Sequence, residues 1–359
     1  MKSILQSVIL CIGMVLLLTT CEIEKTEYKN VIDDGSFSGF SSGSFILHRQ
    51  SISYYSPEEN KVFSDLYFHQ NGVKIKNGIH SMQSFGYLGV ITFQQDDAIE
   101  LMDMVNFRSL GFLELENPRN INSEYPYCLV SFGDRETGGI AMIDIPGKEI
   151  VNTIRIGTET GKIFVDDQHV YVFCDGNNAE DSVLFRLYRA GYTPVALHKL
   201  DSFVIGIRPV DGVGISVHYP DYEHKGLAVL CKGNATIPAS IVLLDLVTGK
   251  IAGSYPFEST TIEPENLFWL YNYDNQPKIL GSLINNKLYA LTLNNPVEKS
   301  ILIDKNISSL IQSGKYYTGV SSDTAGTTSR LYRFDPQTLE LVDSLVIDGK
   351  ATGFATPLF

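Results

Sequence analysis

The chain reads as an all-β protein, a seven-bladed β-propeller closed by shared N- and C-terminal strands in one blade. Three observations predict it. A strand, polar turn and second strand recur seven times, beginning at Ile52, Ile99, Ile140, Leu184, Ile241, Leu288 and Leu331. The separations are 47, 41, 44, 57, 47 and 43 residues, and a period of about 40 to 50 is that of a four-stranded blade. Finally, Tyr and Phe occur 19 times each against a single Trp, a bias toward strands.

Composition sets the bounds. With 359 residues, 44% of them hydrophobic and 19% charged, the chain can bury a large core and is neither disordered nor collagen-like. Its formal charge of -13 excludes a nonspecific nucleic-acid binder, which needs a basic face to displace counterions.

Residues 1–20 read as a lipoprotein signal peptide. Lys2 supplies the positive start, Ile4 to Leu18 is mostly apolar, and the run closes as Leu18-Thr19-Thr20-Cys21. A membrane anchor or ordinary secretion is the alternative, but the stretch is barely long enough to span and no basic stop follows. A small residue before Cys resembles the bacterial lipobox, which implies that Cys21 is lipidated. Glu22, Glu24 and Glu27 then resemble the acidic export tag of surface lipoproteins that work beside TonB-dependent receptors. Residues 21–43 form the lipidated Cys and a flexible tether, polar and rich in Gly and Ser with no apolar period. Residues 44–359 carry the propeller.

Within the repeats, Asp103, Asp144, Asp245 and Asp335 share the fifth position, where a carboxylate accepts backbone amides as the chain reverses. They are expected to be structural. Cys128, Cys174 and Cys231 sit in apolar runs and are expected as buried thiols, since no CxxC pattern proposes a metal site. The first copy has only SFILHRQ ahead of it, too little for a blade, whereas GKATGFATPLF at 349–359 is surplus. The surplus is expected to complete the first blade.

The phrases IAMIDIPGKEIVNTIRIG, FVDDQHVYVF and IVLLDLVTGKIAGSYPF resemble the YncE-like seven-bladed propellers, and GSFILHRQSISYYSPEENKVFSDLYF resembles the start of that family's lipoprotein branch. The resemblance covers about residues 43–359. It implies a surface propeller, outer-membrane and lipid-anchored, that takes a small-molecule ligand, with a corrinoid such as cobalamin ranked first, and passes it to a TonB-dependent transporter. Blades departing from the pattern are the fourth, with Tyr188, Gly191 and Tyr192 at its turn, and the sixth, with Thr292 and Asn294-Asn295-Pro296.

No HExxH, Walker loop or GxGxxG motif occurs, so no catalytic residue, metal ligand or cofactor is assigned. The long 57-residue interval holds HYPDYEHK, where His218, Tyr219, Tyr222 and His224 offer rings and Asp221 and Glu223 hydrogen bonds. The alternative is a solvated loop. A second candidate is the crossing at 67–87, with His69, Asn71, Lys74, Lys76 and His80 at one mouth of the channel. Trp269 and Tyr271 in FWLYNYDNQ are the third, with core packing as the alternative. Three functions follow: ligand capture, a protein-interaction scaffold on the cell surface, and a propeller hydrolase or lactonase, for which no converging ligand set is visible.

Overall fold

The computed structural model describes residues 40, 43–124, 127–165, 169–175, 183–189, 197–204, 209–219, 222–270, 279–323 and 325–355. They lie in one compact unit, Ser38–Phe359. The expected signal peptide, the expected lipidation site at Cys21 and most of the expected tether lie outside the described residues.

The strands follow the chain. First come β1 (Ser44–His48), β2 (Ile52–Ser56) and β3 (Lys61–Phe63), then a short helix α1 (Leu66–Asn71). Blade 1 is β4 (Ser81–Phe85), β5 (Leu88–Phe93), β6 (Ala98–Asp103) and β7 (Arg108–Glu114). Blade 2 is β8 (Ile121–Glu124), β9 (Tyr127–Phe132), β10 (Gly139–Asp144) and β11 (Glu149–Arg155). Blade 3 is β12 (Glu159–Val165), β13 (His169–Asp175), β14 (Val183–Arg189) and β15 (Leu197–Val204). Blade 4 is β16 (Pro209–Tyr219), β17 (Tyr222–Cys231), β18 (Ser240–Asp245) and β19 (Lys250–Pro256). Blade 5 is β20 (Phe268–Leu270), β21 (Ile279–Ile284), β22 (Lys287–Thr292) and β23 (Glu298–Ile303). Blade 6 is β24 (Ser309–Ser313), β25 (Tyr316–Ser322), β26 (Thr328–Phe334) and β27 (Leu341–Asp348). Last comes β28 (Ala351–Ala355).

This topology corrects the count of seven blades. Only six sheets among the described residues are blades of four consecutive strands; the remaining four-stranded sheet is a composite in the order β28-β1-β2-β3. The reason is physical: β1 to β3 have no inner strand of their own, so the last strand of the chain supplies one. Phe45 pairs with Ala355 and Ile46 with Phe354 across that clasp. We call it the closing sheet.

The first strand of each blade lies innermost. Contacts run from β28 to β4, β4 to β8, β8 to β12, β12 to β16 and β16 to β20, and from β24 back to β28. The core lies between sheets rather than inside any one. Leu101 and Val90 pack against Val130 and Ile143, and Leu283 and Leu288 against Ile307 and Phe334. At the closure Ile46 and Tyr55 meet Val320, Leu331 and Ile347. Middle strands are thus covered on both faces: β2 and nearly all of β5 and β10 are buried, which is why they read as apolar runs rather than strict alternation. Outer strands such as β7 and β19 stay mostly exposed.

Turn chemistry explains the register. Asp103 accepts from Val105 N at 2.8 Å, Asp144 from Gly147 N at 3.0 Å, Asp245 from Val247 N at 2.8 Å and Asp335 from Gln337 N at 2.8 Å. Each carboxylate satisfies amides that the reversing chain would leave unpaired. Cys128, Cys174 and Cys231 are buried free thiols, and burial raises the pKa of Cys231 to about 12.

Candidate ligand-binding face

The inner strands all run the same way, so the ring has two different ends. The chain crosses from sheet to sheet at one end, the crossover face. Turns from the first to second and third to fourth strands lie at the other, the turn face.

This separation decides which expected site residues can act together. His80, just before β4, belongs to the crossover face, whereas α1, which carries His69, ends toward the turn face: Asn71 donates to Phe107 O at 3.1 Å and accepts from Ser109 N at 2.8 Å at the β6–β7 turn, and Lys74 lies on the return from there to the crossover end. The hairpin β16–β17 turns at the opposite end. His80 and the hairpin therefore cannot share one site.

The hairpin is longer than a loop reading implied. Its two strands pair continuously to Tyr219↔Tyr222, while β18 meets β17 only from Gly226 to Cys231. Four residues, 222–225, therefore overhang the sheet by about 13 Å at roughly 3.3 Å per residue. His218, Tyr219, Tyr222 and His224 lie on this ribbon. Asp221 and Tyr271 lie outside the described residues. Trp269 sits on β20 and donates from Nε1 to Gly214 O on β16 at 2.8 Å, so it faces the neighbouring inner strand and braces the base of the hairpin.

On the crossover face the polar side chains serve one another. Arg119 pairs with Glu159 across blades 2 and 3. Lys162 Nζ lies 2.8 Å from Asp211, which also accepts from Leu267 N at 3.0 Å, so one buried carboxylate ties blades 3, 4 and 5. His80 keeps an exposed edge, yet the atoms packed around its ring and the Arg119 charge lower its pKa. Lys74 lies with Nζ 5.6 Å from the centre of the Phe68 ring. On α1, His69 Nδ1 is buried and has no hydrogen-bond partner among the described residues.

The turn face instead carries a cleft of about 590 Å3 that sequence reasoning did not find. It opens at the seam between blade 6 and the closing sheet. Pro57, Glu58 and Asn60 come from the β2–β3 turn, Gly314 and Lys315 from the β24–β25 turn, and Tyr316 and Arg333 from β25 and β26. Arg333 is the keystone and is nine-tenths buried. It donates from Nε to Asp343 Oδ1 at 2.6 Å and from Nη1 to Pro57 O at 3.1 Å, and its guanidinium lies 4.7 Å from the Tyr316 ring centre. Asn60 donates to Asp343 at 3.1 Å and accepts from Tyr55 OH at 3.2 Å. The Arg333 hydrogen bonds hold the Asp343 carboxyl below its usual range. Burial pushes Tyr55 up to about 12 despite the Arg333 charge.

A signal for this cleft was present in the repeat. Its third position is Tyr54, Leu101, Met142, Leu243 or Ala290 in five copies but Arg186 and Arg333 in the other two. Each arginine stands opposite or next to an aspartate on the adjacent strand, with Arg186 paired to Asp201 and Arg333 to Asp343.

No protein-family model matches the chain, and no curated protein does. Similar solved structures exist. One is a functionally unknown protein from Desulfotomaculum acetoxidans, with a TM-score of 0.57 and 12% identity, covering 88% of this chain and 99% of that one. Another is the Myceliophthora thermophila Cps50 (Swd1) β-propeller domain, at 0.52 and 12%, covering 77% and 89%. A third is apo AztD from Citrobacter koseri, at 0.51 and 10%, covering 87% and 83%. At such identities the likeness establishes the propeller fold and nothing finer.

Proposed function

We propose that the protein is a noncatalytic capture module that binds a small molecule on its turn face. The cleft between blade 6 and the closing sheet carries this reading, because it is a preformed concavity of the size small molecules use, with polar groups fixed by a buried network. The overhanging hairpin adds a second wall element on the same face. Lipidation at Cys21 and an outer-membrane, cell-surface position would set this ring beside a TonB-dependent transporter, and a corrinoid is the first ligand to test there. Support for that finer reading is the sequence resemblance. A corrinoid is too large for 590 Å3 to enclose, so only an edge of it would enter, with the hairpin covering the rest.

The test is a titration of the chain without residues 1–20, carrying Cys21→Ser, against cyanocobalamin. Micromolar saturation that weakens in Tyr219→Ala/Tyr222→Ala is expected. A flat titration removes the corrinoid.

A scaffold role has one observation in its favour. Tyr87, Val105 and Val247 are exposed at turns of this same face, at 74%, 53% and 65%. Such residues suit a docking protein, and delivery to a transporter needs both docking and capture.

A further inference from the structure

We propose that the seam cleft takes a small anion carried on a ring, a carboxylate or a phosphate, with Lys315 as its charge partner and Tyr316 as its stacking surface. This rests on the capture reading and names the ligand class. The argument begins with charge. Arg333 is committed to Asp343 and to Pro57 O, so its charge is met behind the cleft floor. Lys315 is exposed at the rim, and no ion pair is found for it among the described residues; its Nζ lies 5.4 Å from the Tyr316 ring centre. An anion entering the cleft therefore meets an ammonium available to it on the blade 6 wall. Glu58 lines the closing-sheet wall, so the anion is assigned to the Lys315 side of the cleft.

The ring requirement comes from Tyr316. It is half-buried, lines the cleft and is held by Arg333, so its stacking surface is in place before any ligand arrives. Gly314 has a φ of +56°, which a side chain would strain, and its lack of one keeps that wall open.

The experiment titrates the full chain in detergent with benzoate, phenyl phosphate and benzamide, read by ligand-observed NMR. At least one of the two anions is expected to bind more tightly than benzamide, and the two arms separate carboxylate from phosphate. Lys315→Ala should weaken the preferred anion by about two- to fivefold, the scale of an exposed ion pair, while benzamide is unaffected and Lys315→Arg retains affinity. Tyr316→Leu should weaken all three compounds. Benzamide binding as well as both anions, or an unchanged anion affinity in Lys315→Ala, would overturn the proposal. Failure here with cyanocobalamin still binding would leave the capture reading standing. Anion binding with a flat cyanocobalamin titration would keep this proposal and remove the corrinoid alone.

Discussion

Arg333 and Glu100 show how charge is handled inside the blades. Both replace an apolar residue of the repeat, and both are buried. Arg333 is paired and hydrogen-bonded, so its removal leaves Asp343 without its partner. Arg333→Met should cost about 1 to 3 kcal/mol in a denaturant melt, because Asp343 stays about a third exposed and keeps its Asn60 hydrogen bond, with Arg333→Met/Asp343→Asn recovering part of it. A loss below about 1 kcal/mol would mean that the seam does not depend on this network. Glu100 accepts from Tyr67 OH at 2.9 Å, and burial raises its pKa. Its folded state therefore holds the proton above the unfolded pKa of about 4.3, so stability is greatest below that pH and is lost as pH rises through the raised value. Glu100→Gln should abolish that loss and melt no lower than the parent at pH 7. A lower melting temperature at pH 7 would contradict the sign. Neither residue stood out in the sequence, because an isolated Arg or Glu in a strand usually faces water, and only its position in the repeat marks it as buried.

At the scale of elements, periodicity gave the hairpins and turns but not their lengths. The overhanging end of β16–β17 was legible as extra residues, and its extended form was not, since polar residues in HYPDYEHK suit a loop as readily as an exposed ribbon. Helix α1 was likewise read only as part of a crossing. Its six residues end at Gly72, whose N–H bonds to Phe68 O with φ +69°, a stop signal too short-range to announce a helix. Because the described strand pairing of the overhang is confined to β16 and β17, replacing 218–224 by a two-residue turn should change stability by less than about 0.5 kcal/mol. A cooperative loss of several kcal/mol would show that the ribbon packs on the ring.

For the whole molecule, closure is the decisive event. The surplus at the C-terminus was readable from counting strands, yet the face that carries the cleft was not, because it depends on which turns meet across a separation of 276 residues from Pro57 to Arg333. Removing residues 349–359 deletes β28, the inner strand of the closing sheet, and exposes the edge of β1. The truncated chain should lose cooperative unfolding and aggregate. A sharp melt at the parental temperature would show that the ring closes without the clasp.

The claim that binding belongs to the turn face is tested most directly by amide hydrogen exchange with and without saturating cyanocobalamin or phenyl phosphate. The account predicts protection at 57–60, 218–224 and 314–316, with 76–80 and 119–120 unchanged. Protection confined to those crossover segments, or none anywhere at saturation, would contradict it.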